Sequence, residues 1–456
     1  MIRSERGSAV VTAMLAALVL GVLATSMMRS SFSDLGQTQR TVASNQSLQA
    51  AEAGVDDYIA KLTEDHAYYD HFVHPGESTR RSTSGTLRAA GAAWDGGTTW
   101  TYPSGRNAWR SAGDGVEYNL RIDPPSSARP SVRILATGRI AGDDATAKSV
   151  ETLVRPASIA DFQMIANRDI TYGSAATTYG KLYAGIDENG TAHSVRHDGT
   201  AHADIYAEQS VTGSPTYRDG ARAYNRSTIR RVIRNPINFN TFTGSLVDVQ
   251  RAATGGGIVL DNPSYDAWQL TFNTAGTVTI RGCTRARSGR TTQELGAATP
   301  SCPGSTTTVR TVPTNGAIYV RQSAIVLGTV HGRATVATAG DVVVGGNLAY
   351  DRPGTDVLGL VAEDDVLVPA WAPTTLNWSA ASIAITGQWH SYLNSGPGGS
   401  TMTFNGSAAT NLGGYMSQFA VRNYVYDRNL LFLQPPYFPV LEEAYTVELF
   451  REVPVT

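Results

Sequence analysis

The stretch "GAIYVRQSAIVLGTVHGRATVATAGDVVVGGNLAY", from Gly316 to Tyr350, is the most regular part of this 456-residue chain. Short runs of valine, isoleucine and alanine alternate there with turns rich in glycine, asparagine and aspartate. Similar runs continue on both sides, for example in "ADIYAEQSVTG" (Ala203–Gly213) and "VLGLVAEDDVLVPAW" (Val357–Trp371). Because no helical segments separate the runs, as they would in βαβ units, the pattern predicts a mainly β domain.

Three architectures fit such runs: a β-sandwich, an up-and-down barrel and a right-handed parallel β-helix. The irregular repeat of small residues, turn glycines and Val/Ile triplets favours stacked coils, hence the β-helix. A stack needs covered ends, and the apolar tail "LLFLQPPYFPVLEEAYTVELFREV" (Leu430–Val453) is a candidate cover, since Pro435 and Pro436 bar it from a central strand. We therefore predict a β-helix-like ectodomain with a C-terminal cap over residues 157–456.

Composition limits the possible partners. The net charge is −2 and charged residues make up 17% of the chain, so no basic field favours nucleic acid.

The two cysteines, Cys283 and Cys302, are candidates for a disulfide that would stabilise the fold by about 3 kcal/mol. Two free thiols are the alternative.

A long apolar run, "RGSAVVTAMLAALVLGVLATSMMRSS" (Arg6–Ser31), lies near the N-terminus. Residues 8–28 carry no charge, and as a helix they would span about 31 Å, enough for a bilayer core. Arg3 and Arg6 would keep the N-terminus in the cytoplasm, so the chain after Arg29 would be exported. A cleavable signal peptide with an exit at Ala24-Thr25-Ser26 is the alternative.

The segment after this run continues as an amphipathic helix. Apolar residues from Phe32 to Leu62 recur at spacings near three, four and seven, and no proline occurs before Pro75. The pattern predicts one helix from Ser8 to Leu62, about 80 Å long, with a membrane part (residues 8–28) and an amphipathic part (residues 29–62).

Residues 63–156 are predicted to form a small α+β head on this helix. Three strand-like pieces follow a loop-rich stretch: "GVEYNLRID" (Gly115–Asp123), "SVRILATGRIAG" (Ser131–Gly142) and "TAKSVETLVRP" (Thr146–Pro156). Their alternation of apolar and polar residues is typical of an antiparallel meander.

The run "RGSAVVTAMLAALVLGVLATS" followed by "NQSLQAAEAGVDDYIAKL" (Asn45–Leu62) resembles the N-terminal segment of PilX-type pilus-assembly proteins, which are relatives of type IV pilins. The resemblance covers about sixty residues. It implies that residues 1–7 are a leader, that prepilin peptidase cuts after Gly7, and that Ser8 becomes the new N-terminus. It also implies that Glu52 and Gly54, in the "AAEAG" element, belong to the assembly helix.

Thr12 departs from the pattern of major pilins, which usually carry glutamate as the fifth residue after the cut. That carboxylate is thought to pair with the N-terminal ammonium of the neighbouring subunit in apolar surroundings, where an unpaired charge is costly. A subunit without it is expected to be an initiating, tip-located or rarely incorporated one. A simple membrane anchor in which Gly7 is never cut stays possible.

The region beyond residue 156 also resembles β-rich ectodomains found behind PilX-like N-termini in bacterial surface proteins. The stretches that carry this likeness are "ANRDITYG" (Ala166–Gly173), "GKLYAG" (Gly180–Gly185), "LGLVAEDDVLV" (Leu358–Val368) and "QPPYFP" (Gln434–Pro439). It implies surface or pilus association and assigns no chemistry.

Parallel β-helices include polysaccharide-cleaving enzymes, which depend on paired carboxylates. Glu363, Asp364 and Asp365 follow one predicted strand, and His331 precedes another. The elements of pectinase-like enzymes are missing or in another order, and an exposed turn is favoured for the acidic triplet. Trp268, Trp371, Trp378 and Trp389 could stack on sugars if they were exposed, although core packing is equally expected.

Two histidine-containing stretches suggest metal binding but lack the ligand spacing of zinc sites. They contain His66, Asp70, His71, His74 and Glu77 in the first, and His193, His197 and His202 in the second. Solvated loops are favoured for both, so we expect no metal, no cofactor and no catalytic residue.

The sequence thus predicts a non-enzymatic, pilus-associated subunit that is anchored in the cytoplasmic membrane and displayed on the cell surface or pilus. The resemblance implies other pilin-like subunits, the assembly machinery, prepilin peptidase and the cytoplasmic (inner) membrane as partners, and surface glycans are candidate ligands. A membrane-anchored carbohydrate-active β-helix enzyme is the alternative.

Overall fold

The fold is that of a computed structural model, which describes residues 38–63, 71–72, 80–81, 100–102, 109–123, 131–231, 233, 235–288, 291–392, 399–414, 416, 418–431 and 433–455. It is mainly β, as predicted. Contacts divide the chain into two compact units, residues 1–155 with 445–456, and residues 156–444.

The elements up to residue 224 are, in chain order, helix α1 (38–63) and strands β1 (His71–Phe72), β2 (Arg80–Arg81), β3 (Trp100–Tyr102), β4 (Arg110–Gly113), β5 (Val116–Asp123), β6 (Val132–Ile140), β7 (Asp143–Ser158), β8 (Phe162–Ala166), β9 (Ile170–Tyr172), β10 (Thr177–Thr178), β11 (Lys181–Ala184), β12 (Val195–His197), β13 (Thr200–Ala201), β14 (Ile205–Ala207), β15 (Val211–Thr212), β16 (Thr216–Tyr217) and β17 (Ala223–Tyr224).

The later elements are helix α2 (Thr243–Thr254) and strands β18 (Ile258–Leu260), β19 (Ala267–Asn273), β20 (Thr277–Cys283), β21 (Arg287–Ser288), β22 (Thr291–Thr292), β23 (Thr308–Thr311), β24 (Ala317–Val320), β25 (Ser323–Val330), β26 (Arg333–Thr338), β27 (Val342–Tyr350), β28 (Val357–Ala362), β29 (Val366–Val368), β30 (Thr375–Ala384), β31 (Trp389–Ser391), β32 (Thr401–Thr410), β33 (Val421–Val425) and β34 (Val440–Val453). Short 3-10 helices lie at Ile159–Asp161, Ile229–Arg231, Phe239–Phe242, Gly304–Thr306 and Arg428–Leu431.

The first unit packs α1 on a sheet with the strand order β3-β5-β6-β7-β34. The three predicted strand pieces are β5, β6 and β7, and they pair antiparallel with Leu120 opposite Ala136 and Ala136 opposite Val150. Alternate residues of these strands face the helix, which places Leu120, Ile134 and Val150 in one buried core with Val55 of α1.

The predicted helix from Ser8 to Leu62 is supported only over residues 38–63. Its upstream part, including the predicted membrane part 8–28 and the leader 1–7, lies outside the described residues. Among the residues that the structure does describe, no helix combines the length and the apolar character needed to cross a bilayer.

In the sequence, the second unit lies between two strands that pair in the first unit. Strands β7 and β34 are neighbours in the sheet of the first unit, yet residues 156–444 separate the two parts of the first unit in sequence. The predicted domain 157–456 includes β34, whereas β34 completes the sheet around α1. The C-terminal tail therefore contributes to both units: its residues up to Ala444 belong to the second unit, and those from Tyr445 onward belong to the first.

The second unit is a stack of three-sided coils whose strands pair in parallel with strands of the next coil. We name the sides A, B and C in the order in which each coil visits them. From β24 to β33, side B contains the first parts of β25 and β27 with β29 and β31, and side C contains the last parts of β25 and β27, the first parts of β30 and β32, and β33. From Ala317 onward, paired positions on successive coils lie 18 to 30 residues apart, as Ile318 with Val336 and Leu348 with Trp378. The side A strands are β18, β24, β26, β28, the ends of β30 and β32, β8, β11, β14 and β17.

The chain enters this stack in its middle. Strand β8, the first of the unit, pairs with β32, the last on side A, and the coils of β11, β14 and β17 continue from it. Residues 225–257 then lead to β18 at the opposite end, from which the chain winds back to β32. The stack is therefore continuous in space, although its order along the chain is circularly permuted.

The middle strands of side A, β24, β26, β28 and the end of β30, are buried on both faces. Their inward residues, such as Val336 and Leu360, contribute to a core of aliphatic and aromatic side chains inside the coils. Their outward residues, such as Val361 and Ile383, pack against Phe242 and Val249 of the connecting segment and against Phe438 of the tail. This double burial explains why β28 reads "VLGLVA" without a polar residue.

The tail covers a side of the stack instead of its end. Thr335 Oγ1 donates to the carbonyl of Pro436, Arg333 donates to the carbonyl of Gln434, and a Cβ on Gly359 would meet Pro435 at 2.8 Å. The apolar character of the tail by itself predicts a cover over an open end of the coils. In the structure, the apolar side chains of Leu430 and Phe438 pack against the outward face of side A.

Candidate functional site

The residues predicted to be processed or to act in filament assembly fall in two places. Gly7, Ser8 and Thr12 lie outside the described residues. Glu52 and Gly54 lie in α1, where the structure shows how the "AAEAG" element contacts the sheet.

Small residues bring α1 into backbone contact with strand β6. Ala50 and Ala51 are buried, and a Cβ placed on Gly138 of β6 would lie 2.1 Å from the carbonyl oxygen of Ser47 and 2.5 Å from the amide nitrogen of Ala51. Such distances leave no room for any side chain on Gly138. The helix and the strand therefore touch directly at this position.

Gly54 makes the second close contact of the helix. A Cβ there would lie 2.6 Å from the ring of Tyr118 in β5 and 3.0 Å from Leu120. Glu52 is half-exposed, on another side of the helix from these contacts. In this structure Ala50, Ala51 and Gly54 of "AAEAG" thus join helix to sheet, whereas Ala53 is exposed.

A polar contact fixes the rotation of the helix beside these small residues. Asp57 accepts hydrogen bonds from Tyr118 Oη and Lys61 Nζ, both at 2.7 Å. Partial burial raises the pKa of Asp57, but the bonds to Lys61 and Tyr118 outweigh it and the net shift is downward. The ionised aspartate therefore anchors α1 to β5.

Strand β34 is held in its sheet by ion pairs as well as by backbone pairing. Glu151 of β7 lies between Arg133 of β6 and Arg451 of β34, with Arg451 Nε donating at 2.7 Å. The hydrogen bond from Arg133 and then that from Arg451 hold the pKa of Glu151 below its ordinary value, against the effect of burial. This pair is not apparent in the sequence, since 300 residues separate Glu151 from Arg451.

Cys283 and Cys302 form a disulfide in the structure. The loop it closes covers the outward face of side B, where Cys283 and Leu295 pack on Ile325, Val343 and Leu367. Trp371 donates from Nε1 to the carbonyl of Leu295 at 2.8 Å and ties the loop to a later coil.

The acidic triplet considered for catalysis lies at the corner between sides A and B. Asp341 Oδ1 accepts from the amide of Asp365 at 3.2 Å, and Asp365 Oδ1 accepts from the amide of Gln388 at 2.6 Å. Each carboxylate thus binds the turn of the next coil. The same device recurs where Asp169 accepts from Ser194 and where Asp204 accepts from Arg222, which indicates a role in coil stacking.

His390 forms a hydrogen bond with Asp365 at the same corner. Its Nε2 lies 3.3 Å from Asp365 Oδ2, and the hydrogen bond with Asp365 raises the pKa of His390 above its ordinary value despite partial burial. Burial raises the pKa of Asp365, but the bond to His390 and the Gln388 amide reverse the effect, so the net shift is downward. Burial raises the pKa of Asp341.

His331 lies at a different corner from the acidic triplet. It belongs to the turn between sides C and A, and strand β26 separates it from the corner of Asp341. The structure therefore does not bring His331 together with Asp364 and Asp365.

Among the described residues, His331, Asp351 and Asp356 form the one group whose ligand atoms are close enough to hold a metal ion, within 4.8 Å of one another. His331 Nδ1 is 2.7 Å from Asp351 Oδ2. Asp356, however, already accepts from the backbone and guanidinium of Arg352 and from Gly332 N. A cation would have to share Asp356 with a guanidinium, which argues against a built metal site.

The other candidate histidines have separate partners. His193 lies 3.3 Å from both Asp169 and Asp187, whereas His202 is 2.8 Å from Asp219 and stacks on Tyr179. His197 is fully buried, accepts at Nδ1 from Gly199 N, and has its pKa lowered by burial. His66, Asp70, His74 and Glu77 lie outside the described residues, as does the side chain of His71.

The tryptophans considered for sugar stacking are mostly in the core. Trp378 and Trp389 are 1% exposed and pack together with Phe404 inside the coils. Trp268 and Trp371 are half-buried.

Comparison with known proteins adds little to this picture. No family model and no curated protein matches the chain. Among solved structures, the competence-associated pilin ComZ from Thermus thermophilus is similar at a TM-score of 0.30 and 12% identity, with 90% of this chain and 97% of that chain covered. A likeness at this level carries no argument about fold or function.

Proposed function

We propose that this chain is a minor pilin-like subunit of a type IV pilus or related apparatus, inserted through its N-terminal helix and carrying the β-helix-like unit as a non-enzymatic surface domain. The observation that supports this most is the contact between α1 and β6. The "AAEAG" element, which the pilin-like resemblance singled out, is where the helix meets Gly138 without space for a side chain.

This contact fits an assembly helix for a mechanical reason. A subunit held in a filament through its N-terminal helix must transmit force from that helix to its outer domain. Backbone-to-backbone packing at Gly138, the ionised anchor at Asp57 and the apolar core around Val55 together resist sliding of α1 along the sheet. A plain membrane anchor needs no such rigid joint.

The cellular route follows from the sequence. The subunit would wait in the cytoplasmic membrane with its N-terminus inside, be cut after Gly7 by prepilin peptidase, and join other pilin-like subunits outside. Thr12 in place of glutamate removes a carboxylate that could pair with a neighbour's terminal ammonium, so incorporation would be rare or initiating.

Mass spectrometry of the N-terminus of the exported protein tests the proposal. We expect a mature chain that begins at Ser8, and a Gly7→Val variant that keeps Met1 and fails to appear in sheared surface filaments. Gly21→Ala, within the same apolar run, is the matched control and should be processed normally. A wild-type chain that starts at Met1, or one cut near Ser26, would contradict the proposal.

The enzyme alternative has its own test. The carboxylates of Asp341 and Asp365 are engaged by backbone amides of the neighbouring coil, an arrangement that serves stacking. Reducing-end release should therefore be absent for the wild-type protein. If release is observed and is lost in the Asp364→Asn, Asp365→Asn double variant, the non-enzymatic assignment is wrong.

A further inference from the structure

Side C of the stack presents a flat, uncharged sheet face that no other element of the second unit covers in its described part. Strands β27, β30, β32 and β33 lie side by side there in parallel register. Inward residues such as Leu348, Trp378 and Phe404 are buried, and the residues between them are exposed or half-exposed. The alternation shows which side chains face outward.

Hydrogen-bonding side chains form the central row of this face. Asn377 pairs in register with Thr403, and Thr403 with Asn423. Asn347 extends the row by one coil, since its Oδ1 accepts from the amide of Asn377 at 2.9 Å. The row therefore runs straight across four coils, with steps of about 4.8 Å.

Two further rows flank it. In-register outward positions are Thr375, Thr401 and Val421 on one side, and Ser379, Asn405 and Val425 on the other. Within the described part of the chain, the side-chain amide of Asn377 and the hydroxyls of Thr375 and Thr401 make no hydrogen bond to the protein, so they are open to a ligand. In the central row, Asn423 Nδ2 donates to Thr403 Oγ1 at 3.4 Å, which leaves one N–H of Asn423 for a ligand.

The absence of charge is the informative feature. In the four strands Arg422 is the one charged residue, and it pairs with the inward Met402, so it belongs to the opposite face. The chain as a whole is 17% charged. The outward valines of β33, Val421 and Val425, are 49% and 42% exposed, so the face is uncharged even where it meets solvent.

The chemistry of the face excludes several classes of partner. Nucleic acid and anionic membranes require lysine and arginine. Protein interfaces are centred on aromatic residues and arginine, which these outward rows lack. What the rows offer is a rigid, repeated array of amides and hydroxyls, which matches a neutral ligand that itself repeats hydroxyl groups along a straight line.

We propose that side C binds an extended neutral polysaccharide, with hydroxyl groups of successive sugars meeting the Asn347, Asn377, Thr403 and Asn423 row. Because the array is held rigid by the coils, little conformational entropy is lost on binding an ordered glycan. This inference refines the surface-contact part of the proposed function. The two can fail separately, since glycan binding is measured on purified protein and pilus processing on exported protein.

The test is a pelleting assay with the full-length protein in detergent and two insoluble neutral glycans, cellulose and chitin. We expect the wild-type protein to pellet with at least one of them and not to bind soluble alginate, an anionic glycan. The Asn377→Glu, Thr403→Glu double variant should bind about tenfold more weakly or worse. Thr308→Glu, an exposed position in β23, is the control and should bind as the wild type does.

A conservative pair separates lost contacts from lost structure. Thr403→Val removes the hydroxyl at nearly constant shape and should weaken binding, whereas Thr403→Ser keeps it and should not. Absence of wild-type binding to both glycans, equal binding by the glutamate variant, or tighter binding to alginate would each overturn the proposal. So would a glutamate variant that keeps its glycan affinity but dissociates an oligomer, because the face would then meet a second copy of the chain.

Discussion

At the scale of single residues, glycine and carboxylate positions carry the most specific information in this protein. Gly138 permits contact between a helix and a strand, and Asp341 and Asp365 bind the turns of neighbouring coils. The sequence draws attention to Asp365, as part of an acidic triplet, but not to Gly138 or Asp341. Their roles depend on groups that the fold brings near them.

Gly138→Ala should loosen α1 from the sheet. The added methyl group would overlap backbone atoms of Ser47 and Ala51. Overpacking against backbone costs roughly 1–3 kcal/mol, more than the ~0.5–1 kcal/mol that alanine gains over glycine in conformational entropy. Hydrogen exchange of peptides from α1 and β6 should therefore accelerate.

Gly173→Ala provides the control for this substitution, since no atom lies within 4 Å of the position of its Cβ. Unchanged exchange in α1 after Gly138→Ala would show that the helix does not contact the strand as described.

The pair of Asp365 and His390 should make stability depend on pH in a defined direction. The pKa of His390 is raised in the folded state, so its contribution is full below the ordinary histidine value and is lost as pH rises through the raised value. Asp365 has a lowered pKa, so its contribution is lost only as pH falls below the ordinary aspartate range. The pair therefore stabilises the corner most between about pH 4 and 6.5.

Thermal unfolding at about pH 6 and about pH 8.5 checks this expectation. The wild-type protein should lose stability between the two pH values, and Asp365→Asn should reduce that loss. Asp364→Asn alters the exposed neighbour that does not contact His390 and should leave the pH dependence unchanged. An equal pH dependence in all three proteins would refute the pairing.

At the scale of elements, strand β34 is the least expected result. It lies at the end of the chain, yet it adds to the sheet that begins more than 300 residues earlier, and Arg451 and Lys148 form ion pairs across it with Glu151 and Glu452. Tyr445 packs against the core under α1. The head of the protein is therefore incomplete until the whole second unit has been synthesised.

Truncation after Ala444 should destabilise the first unit while the coils stay folded. Strand β7 would lose its neighbour, and the core around Val150 and Val154 would lose part of its cover. We expect hydrogen-exchange protection in α1 and β5–β7 to fall by about tenfold or more. Truncation after Val453 removes only residues beyond the strand and is the control. Equal protection in both truncated proteins would mean that β34 does not hold the sheet.

At the scale of the whole chain, the second unit is a coil stack whose two blocks are out of order in the sequence. Residues 162–224 stack on β32, the last strand reached by residues 258–410. Since contacts in such a stack are made with neighbouring coils only, the first-synthesised block depends on a template completed nearly 250 residues later.

An aspartate at Ala408 should break the stack at this junction. Ala408 is fully buried inside the coils and pairs with Met164, so a charge there has no partner. Hydrogen exchange should increase across residues 162–224 more than across β24–β28. Ala223→Asp, in the exposed last coil, is the control. A uniform loss of protection through the unit would contradict a junction between two blocks.

The sequence by itself predicted the local features of this protein. Alternating apolar residues identified β5, β6 and β7, the Val/Ile runs identified the strands of the coils, and the stripe ending at Leu62 identified α1 to within one residue of its C-terminal end. These features depend on side-chain periodicity, which neighbouring residues determine.

Only the tertiary structure decided which distant segments meet. It placed β34 beside β7, β8 on β32, and the apolar tail along side A and not over an end of the coils. An apolar or β-prone segment shows in sequence that it must be buried or paired, but many partners satisfy that need equally well. Which partner a segment meets depends on the packing of the whole chain. The free energy gained by burial or strand pairing does not depend on how far apart the two segments lie in the sequence.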